Sequence, residues 1–385
     1  MQDKLNTALY TAKRSAIREF SRRAALMPDC VRLTLGEPDL PTPASVCAAV
    51  GKALAAGETH YIENNGSAAL RQAIADLERE KNGMDYAADE IIVTVGATEA
   101  LFTALFGVVN PGDEVIVPTP AFVLYEQIIN LCRGVYVPLD TSADAFQIDP
   151  ERLAALVTPK TKAIVLNSPN NPTGCILDRA SLDAVYRVVR DRDIFVICDD
   201  VYRGLTYGAE YHSFAEYRDL REKLIVVQSF SKPYAMTGWR VGYLMADRPV
   251  KERLELVHQF TVVSTAAPFQ RACIEALRYD PAPMREIYAQ RRAYVLRRLR
   301  ELGMDVRTPE GAFYVFPSVR KYGMDSTAFC ERLLSEAHVA VTPGAAFGAD
   351  GFIRISYCCA TEELEKGLDR LAGFVRSLET EAADD

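Results

Sequence analysis

Between residues 90 and 228, short apolar runs alternate with amphipathic segments, and this alternation restricts the possible folds more than any other feature of the chain. Residues 90–95 and 114–117 are predicted to be buried strands. Residues 98–109 between them are predicted to form a helix, because their apolar side chains recur at helical spacing. Short β-branched runs separated by helices predict an α/β fold with a mostly parallel sheet flanked by helices. The same pattern continues with strands predicted at 162–166, 194–198 and 224–228 and a helix at 182–190.

A chain of 385 residues is longer than one hydrophobic core usually organises, so two domains are expected. We predict that residues 45–280 form a large α/β domain around the parallel sheet. Helical periodicity over 284–302 and a short apolar run at 352–356 indicate a smaller α+β domain, which residues 281–385 form together with residues 1–44. Five arginines of the helical region are expected to form a solvated helix face: Arg291, Arg292, Arg297, Arg298 and Arg300.

The charge balance and the cysteine pattern argue against several functional classes. A formal net charge of −8 disfavours nucleic acid or an anionic membrane surface as the main partner. The N-terminus lacks a basic head followed by an apolar run, and no apolar stretch reaches the ~18 residues that span a bilayer, so we expect neither a secretory signal nor a membrane segment. Nine scattered cysteines without a Cys-x-x-Cys pair fit reduced thiols in the cytoplasm, and four widely spaced histidines predict no metal site.

A segment that begins with a glycine follows the first predicted strand at its carboxyl end, the edge at which open α/β sheets bind ligands. Gly96-Ala97-Thr98 comes directly after this strand and opens the next helix. Its free N–H groups and the positive end of the helix dipole favour a phosphate. The alternative is an ordinary helix start, since many helices that bind nothing begin with glycine and threonine.

Two further strand ends carry polar side chains suited to a planar heteroaromatic ligand. After residues 162–166, Asn170-Asn171-Pro172 forms a turn in which a rigid amide could donate to a phenolate oxygen. After residues 194–198, a carboxylate of Asp199-Asp200 could accept a pyridinium N–H, and Tyr202 could donate to the ring oxygen. The alternative for the two aspartates is to cap a following helix.

The last predicted strand is followed by a segment that combines a lysine, two hydroxyl groups and an arginine. Lys232 could form a Schiff base with a phosphorylated aldehyde, and Ser229, Ser231 and Arg240 could hold its phosphate. A lysine placed among cations is disfavoured as an ammonium ion, so its amine becomes nucleophilic. The combination predicts a pyridoxal phosphate site, with Phe122 either stacking on the ring or packing in the core.

Taken together, these segments resemble those of the class I aminotransferases of the fold-type I pyridoxal phosphate family. The resemblance extends from about residue 16 to about residue 371, and the order of all the motifs matches. Its most specific parts are the lysine segment with Gly238-Trp239-Arg240 and the turn Asn170-Asn171-Pro172-Thr173-Gly174. Among the subgroups, the prokaryotic aspartate, aromatic and N-acetyl-diaminopimelate aminotransferases look most similar. The implied fold has a large domain with a mostly parallel sheet flanked by helices and a smaller α+β domain.

The resemblance implies a role for each cofactor-binding residue. Lys232 would form the Schiff base and later move a proton, and Asp199 would pair with the pyridine nitrogen. Phe122 would stack on the ring, while Tyr202 and Asn171 would hold its 3′-oxygen. The phosphate would be held by the N–H groups of Ala97 and Thr98 and by the side chains of Ser229, Ser231 and Arg240.

The resemblance also implies how the substrate is held and how the chains assemble. Arg354 matches the arginine that clamps the substrate α-carboxylate, for which a guanidinium fork is suited. Gly36 matches the glycine that lies against the same carboxylate, and Asn171 belongs to the same substrate site. Tyr61 matches a tyrosine that reaches the phosphate of the neighbouring subunit, which implies a homodimer with shared active sites.

The implied reaction is ping-pong transfer of an amino group from an amino acid to a 2-oxo acid, with 2-oxoglutarate as the expected acceptor. The chain has Asp200 where the family usually has Glu, and Phe122 where Tyr or Trp is frequent, and neither change affects the expected chemistry. The alternative is a pyridoxal phosphate-dependent β-lyase acting on cystathionine or cysteine conjugates, although such lyases usually lose the Gly-Trp-Arg pattern. A DNA-binding regulator built on this fold is disfavoured, because residues 1–44 contain no helix-turn-helix pattern.

The sequence leaves more than one possibility for the residues that would contact the substrate side chain. Lys13, Arg14 and Arg18 could pair with a distal carboxylate or could form a solvated helix face. Tyr10 and Phe20 could instead line an aromatic pocket.

Overall fold

The computed structural model of the protein describes residues 4–12 and 16–384, with side chains described as far as Glu381. The helices are α1 (Ala16–Ala25), α2 (Ala44–Ala55), α3 (Ala68–Asn82), α4 (Gly96–Val108), α5 (Leu124–Leu131), α6 (Pro150–Leu156), α7 (Arg179–Val189), α8 (Arg248–Val262), α9 (Ala267–Ala276), α10 (Ala282–Glu301), α11 (Ser326–Ala337) and α12 (Thr361–Asp384). The strands are β1 (Val31–Arg32), β2 (Ile91–Thr94), β3 (Glu114–Thr119), β4 (Val135–Asp140), β5 (Thr161–Asn167), β6 (Phe195–Asp199), β7 (Leu224–Ser229), β8 (Gly242–Ala246), β9 (Tyr314–Val315), β10 (Val339–Ala340), β11 (Thr342–Pro343) and β12 (Ile353–Ser356).

A seven-stranded sheet forms the centre of the fold, in the order β2-β8-β7-β6-β5-β3-β4. Its strands run parallel except for β8, which is antiparallel to both of its neighbours. Alternate residues of the central strands enter two separate hydrophobic cores: Ile197 and Ile225 face one, Val196 and Val226 the other. A sheet buried on both faces needs helices on both sides. The predicted α/β fold with a mostly parallel sheet is therefore confirmed.

Two strands of this sheet, β4 and β8, are missing from the prediction made from the sequence. Strand β4 lies at the edge of the sheet, is largely exposed and contains Pro138, which an edge strand tolerates. Strand β8 has the sequence Gly-Tyr-Leu-Met-Ala, which contains no β-branched residue, although it is buried throughout. Burial between two neighbouring strands, rather than intrinsic propensity, makes this segment extended.

Two small sheets join segments that are far apart in the chain. Strand β1 pairs in parallel with β10, so the N-terminal region docks beside the C-terminal region. Strand β12 lies between β11 and β9 and is antiparallel to both. This arrangement brings residues before 45 and after 280 together, and the predicted domain boundaries at those positions stay a prediction.

Arg291 corrects the expectation of a fully solvated arginine face on α10. Its side chain is buried and forms two hydrogen bonds with the Asp39 carboxylate, at 2.7 and 2.9 Å. Arg292 Nη1 donates to the carbonyl oxygen of Pro309 at 2.7 Å. Arg297 and Arg300 are exposed as expected. One side of α10 therefore packs against the N-terminal segment, which helical spacing alone does not reveal.

Two further observations concern the described part of the chain as a whole. None of its helices is both long and apolar enough to cross a lipid bilayer. Nor do three or more of its His, Cys, Asp and Glu side chains lie together in a way that could hold a metal ion.

A group of buried charges lies beside the central sheet, between α3 and the turn after β6. Arg203 Nη2 donates to Glu78 Oε1 at 2.7 Å, and Tyr243 donates to the same oxygen at 2.5 Å. Arg203 also lies 3.9 Å from Asp200 Oδ2, which accepts a hydrogen bond from Ser213 at 2.7 Å. Glu78 is fully buried, so the arginine neutralises carboxylates that water cannot reach.

We predict that Arg203→Leu lowers the free energy of unfolding of the apoprotein by about 3–5 kcal/mol, because it leaves two buried carboxylates without their cation. The matched control is Arg22→Leu, since Arg22 pairs with Glu19 at the same 2.7 Å but in an exposed position. The control should cause a much smaller loss. Chemical denaturation measures the free energy of unfolding of both variants. Equal losses would contradict the stabilising role of Arg203 between the two buried carboxylates.

Candidate active site

Lys232 lies in the turn after β7, and its Nζ donates to the carbonyl oxygen of Gly36 at 2.6 Å. Burial lowers the pKa of Lys232 to about 8, and the nearby charge of Arg354 acts in the same direction. Gly36 has no room for a side chain, because an added Cβ would overlap the hydroxyl oxygen of Tyr314. The lysine is thus held against a backbone segment from the N-terminal region, with an amine that loses its proton more readily than usual.

Asp199, the last residue of β6, combines burial with unfilled hydrogen-bonding capacity. Its Oδ2 accepts a hydrogen bond from Tyr125 at 2.5 Å, whereas its buried Oδ1 has no partner among the described residues. Burial raises the pKa of Asp199 to about 6, against the opposing effect of the Tyr125 hydrogen bond. A buried acceptor without a donor is costly. Oδ1 is therefore suited to an N–H from a ligand, such as the ring nitrogen of pyridoxal phosphate.

The alternative role for the two aspartates, as caps of a following helix, is wrong. Residues 200–204 form a turn, in which the N–H of Arg203 donates to the carbonyl oxygen of Asp200 at 2.9 Å. The Asp200 carboxylate belongs instead to the buried charge group with Arg203 and Glu78.

Arg354 on β12 is a buried cation with an incomplete set of partners. It is 2% exposed, and its guanidinium lies over the rings of Tyr314 and Phe347 at 4.5 and 4.9 Å. Nη1 donates to Asn171 Oδ1 at 2.8 Å and Nη2 to the carbonyl oxygen of Thr34, while Nε has no hydrogen-bond partner among residues 4–12 and 16–384. In the part of the chain that the structure describes, no carboxylate pairs with it, and burial lowers its pKa. The site is therefore suited to an anionic ligand.

Asn167 connects the arginine to the aspartate. Its Nδ2 donates to the carbonyl oxygen of Asp199 at 2.9 Å, and its Oδ1 accepts the N–H of Asn171 at 2.9 Å. Asn171 in turn accepts from Arg354. This chain of hydrogen bonds sets the distance between the group that can accept a ring N–H and the group that can hold a carboxylate.

Tyr202 lies near Lys232 and contacts Tyr314, the tyrosine over whose ring Arg354 lies. Its hydroxyl group is 2.8 Å from that of Tyr314, and its ring meets the ring of Phe313 edge-on. Lys232 Nζ lies 5.8 Å from the centre of the Tyr202 ring. The tyrosine predicted to hold a ring oxygen is therefore next to the predicted Schiff-base lysine.

The predicted phosphate-binding residues converge at the N-terminus of α4. Gly96 begins this helix with a φ of +73°, and an added Cβ would lie 2.5 Å from Arg240 Nη2. An added Cβ on Gly242 would lie 2.8 Å from the backbone nitrogen of Ala97. Glycine at both positions leaves the helix N-terminus open beside a guanidinium group, which favours an anion.

Two serines complete this end of the site. Ser229 ends β7 and pairs with Gly242 across the β7–β8 ladder, and its Oγ accepts the N–H of Ser231 at 3.0 Å. Thr98 is the third residue of α4 and is exposed. Ser229, through its pairing with Gly242, and Arg240 therefore lie beside the helix start, and Ser231 is hydrogen-bonded to Ser229.

Phe122 and Tyr61, the remaining predicted cofactor residues, have different surroundings. Phe122 is partly buried, and its ring meets the ring of Tyr125 edge-on at 6.3 Å. It also packs against the hydrophobic core, so the two alternatives for this residue are compatible. Tyr61 lies in the loop between α2 and α3 and is 89% exposed.

The residues considered for the substrate side chain have separate outcomes. Phe20 is buried in the core, so it does not line an open pocket. Arg18 is exposed on α1, and Tyr10 is also exposed. Lys13 and Arg14 lie outside the described residues.

Four residues of this site were not found from the sequence: Thr34, Tyr125, Asn167 and Tyr314. Asn167 lies just before the Asn170-Asn171-Pro172 turn, so the turn motif could have pointed to it. The other three lie in segments without a recognisable motif, and Tyr314 is 112 positions from its partner Tyr202. Only tertiary packing brings these side chains together: α5 packs on the main sheet and carries Tyr125, and the small sheet β11-β12-β9 carries Tyr314.

Comparison with known proteins identifies the class to which this fold and site belong. The family model described as aminotransferase class I and II matches residues 28–371, and the chain belongs to that family. A probable N-acetyl-LL-diaminopimelate aminotransferase of Bacillus subtilis is 40% identical over 381 residues, which cover 97% of this chain and 96% of the relative. The aspartate aminotransferase of Thermotoga maritima is 38% identical over 350 residues, covering 91% of this chain and 92% of the relative.

Solved structures agree with this assignment. The structure of the Thermus thermophilus aspartate aminotransferase with maleate superimposes with a TM-score of 0.91 at 37% identity, covering 96% of this chain and 98% of that chain. The protein is a pyridoxal phosphate-dependent aminotransferase. The family, the enzyme class and the cofactor expected from the sequence are thus confirmed.

We predict that Lys232 in the apoprotein reacts with an amine-selective reagent with a midpoint near pH 8, because burial favours its neutral form. An unperturbed lysine would show a midpoint near ~10.4. Mass spectrometry of the labelled peptide across pH measures the midpoint, with the exposed Lys81 as a check that the reagent stays active. A midpoint above pH ~10 would contradict the burial effect.

Proposed function

We propose that this aminotransferase moves the amino group of an amino acid to 2-oxoglutarate by a ping-pong mechanism, and that the donor belongs to the aspartate, aromatic or N-acetyl-diaminopimelate class. The single observation that carries the proposal is the buried Arg354 in the same site as Lys232, a guanidinium whose Nε has no partner in the described part of the chain. A planar guanidinium suits a carboxylate that it can bind with two hydrogen bonds.

The ping-pong order follows from the use of one carboxylate site. Both the amino acid and the 2-oxo acid carry an α-carboxylate next to the reacting carbon. Arg354, held by Asn171 and the Thr34 carbonyl group, would bind either of them. Because one arginine serves both, the two substrates would occupy the site in turn.

The cofactor would be held at three points in this proposal. Asp199 Oδ1 would accept the ring N–H, and Tyr202 with Asn171 would hold the ring oxygen. Phe122 would cover one face of the ring. The phosphate would be held by the N–H groups of Ala97 and Thr98 and by Ser229, Ser231 and Arg240. When bound, pyridoxal phosphate supplies an electron-withdrawing ring that stabilises negative charge on the substrate α-carbon.

Lys232 would be the base that moves the proton of the α-carbon. Its lowered pKa makes the neutral amine available near neutral pH, which a general base requires. The Gly36 carbonyl group orients the amine by accepting its hydrogen bond. Tyr314 packs directly on Gly36, and the guanidinium of Arg354 stacks on the ring of Tyr314. Gly36 would therefore also lie against the carboxylate that Arg354 binds.

The names of the relatives support the donor classes. The matched proteins are described as aspartate, aspartate/prephenate, aromatic and N-acetyl-LL-diaminopimelate aminotransferases. The Thermus thermophilus structure contains maleate, a dicarboxylate. Among the described residues of the N-terminal segment, Arg18 is a cation that could pair with a distal carboxylate.

We also propose a homodimer with shared active sites. Tyr61 is 89% exposed, and Phe260 and Phe106 are 84% and 54% exposed on α8 and α4, two helices that pack together. Exposed apolar side chains that lie together, as on two packed helices, favour a contact surface, whereas single ones are common on monomers. In a dimer, Tyr61 would reach the phosphate of the neighbouring subunit.

A cytoplasmic location is part of the same proposal. All nine cysteines are free thiols, and six of them are buried. Unpaired cysteines in this number fit a reducing compartment.

The proposed function is tested by adding single amino acids to the holoenzyme and recording its visible absorption. We expect a donor of one of the three classes to convert the cofactor to its amine form, and 2-oxoglutarate to reverse the change. Lys232→Ala should abolish turnover. Pyruvate release from cystathionine, faster than any amino transfer, would instead favour the β-lyase.

Arg354→Lys tests the carboxylate site in the same assay. Loss of the bidentate contact between the guanidinium and the substrate carboxylate should raise KM for both the amino acid and the 2-oxo acid by roughly 10–100-fold. The matched control is Arg320→Lys, because Arg320 also stacks on an aromatic ring, that of Phe352, but is exposed. A KM change confined to one of the two substrates would remove the shared role of Arg354.

Mixed dimers test the shared active sites. We predict that the Lys232→Ala and Tyr61→Ala homodimers are both impaired, whereas a heterodimer of the two regains activity. One of its two sites is intact, because it receives Lys232 from the Tyr61→Ala subunit and Tyr61 from the Lys232→Ala subunit. Subunits are mixed under mild denaturant, separated by affinity tags and assayed. Activity no higher than the mean of the two homodimers would contradict sharing.

A further inference from the structure

Tyr125 makes a buried contact with Asp199 that none of the steps proposed above uses. Tyr125 is the second residue of α5 and is 1% exposed. Its hydroxyl group donates to Asp199 Oδ2 at 2.5 Å, across a separation of 74 residues. The two side chains come from different elements, so this contact depends on how α5 packs on the sheet.

The direction of this hydrogen bond follows from the environment of the phenol. Burial and the neighbouring charge of Asp199 raise the pKa of Tyr125 well above its ordinary value. The phenol therefore keeps its proton and donates it. In return, this hydrogen bond lowers the pKa of Asp199, against the larger effect of burial.

The two oxygens of Asp199 are thereby distinguished. Oδ2 is held by Tyr125, and Oδ1 is buried with no partner in the described part of the chain. The ring of Tyr125 is itself held by its edge-on contact with Phe122. The carboxylate has one oxygen fixed and one oxygen available.

We propose that Tyr125 is a positioning residue for Asp199: it fixes the carboxylate so that Oδ1 meets the ring nitrogen of the cofactor, and it keeps the proton of that contact on the ring. This inference rests on the role proposed above for Asp199. A proton shared between a carboxylate and a pyridine nitrogen lies on the more basic of the two. A donor on Oδ2 stabilises the ionised carboxylate, so the ring stays cationic.

The cationic ring is the form that withdraws electrons most strongly. Without the phenol, the buried carboxylate would become more basic and would draw the proton toward itself. Tyr125 would therefore affect cofactor binding and reactivity without touching the substrate.

Tyr125→Phe is the direct test, because it removes the hydroxyl group and keeps the ring that contacts Phe122. The matched control is Tyr243→Phe, since Tyr243 also donates to a buried carboxylate, that of Glu78, at 2.5 Å. Two quantities are measured: the Kd of the apoprotein for pyridoxal phosphate, and the 15N chemical shift of the labelled ring nitrogen in the holoenzyme.

We expect Tyr125→Phe to raise the Kd about tenfold, the effect of losing one hydrogen bond to a charged group, and to move the 15N shift toward that of a neutral pyridine. Tyr243→Phe should leave both values at the wild-type level. If the two variants behave alike, the role of Tyr125 is structural and the inference is wrong.

Asp199→Asn separates this inference from the proposed function. If Asp199→Asn leaves the Kd unchanged, the role of Asp199 itself fails. If Asp199→Asn weakens binding but Tyr125→Phe does not, only the role of Tyr125 fails. Once position 199 is Asn, adding Tyr125→Phe should have no further effect on the 15N shift, because no carboxylate remains to be made more basic.

A neutron structure of the wild-type holoenzyme keeps the inference testable if Tyr125→Phe does not fold. Deuterium is expected on the ring nitrogen of the cofactor. A second deuterium is expected on the Tyr125 hydroxyl group, directed at Oδ2 of Asp199. Deuterium on Asp199 would overturn the inference.

Discussion

The arrangement of the active site depends on burying ionisable groups that have too few partners among the described residues. Arg354 is 2% exposed and has no carboxylate partner in the described part of the chain, and the buried Oδ1 of Asp199 has no donor there. Lys232 carries a lowered pKa for the same reason, which is removal from water. Such groups destabilise a folded chain unless a ligand completes their contacts. An anionic substrate and a cofactor with a ring N–H would supply those missing contacts.

Keeping these groups buried requires parts of the chain that are far apart in sequence. Lys232 follows β7 and Asp199 ends β6 of the central sheet, Gly36 belongs to the N-terminal region, and Tyr314 and Arg354 lie on the small sheet β11-β12-β9. Lys232 donates to Gly36, Gly36 packs against Tyr314, and the guanidinium of Arg354 lies over the Tyr314 ring. Asp199 is linked to Arg354 through Asn167 and Asn171. The site therefore lies where two sheets meet, and any change in their relative position would change the distance between Lys232 and Arg354.

Asp199 and Asp200 show how one strand end can serve chemistry and stability at once. Asp199 is the last residue of β6 and Asp200 begins the turn that follows, so their side chains leave the backbone on different sides. Asp199 faces Tyr125 and the ligand site, whereas Asp200 lies on the side of Arg203 and Glu78. The Asp199 carboxylate keeps one oxygen that could accept a hydrogen bond from a cofactor, and the Asp200 carboxylate is neutralised by the buried Arg203. Two adjacent residues of the same type thus have unrelated roles because the strand places them in different environments.

Local periodicity and short motifs were enough to predict the α/β class, five of the seven strands of the main sheet and the segments that carry Lys232, Asp199 and Arg240. Three other features became visible only in the folded chain: β8 is a strand, Arg291 is buried against Asp39, and Phe20 belongs to the core. The folded chain also shows which oxygen of Asp199 is held by Tyr125 and which is left for a ligand. These features depend on strand order and on contacts across many tens of residues, and no local pattern specifies which distant side chain will be the neighbour.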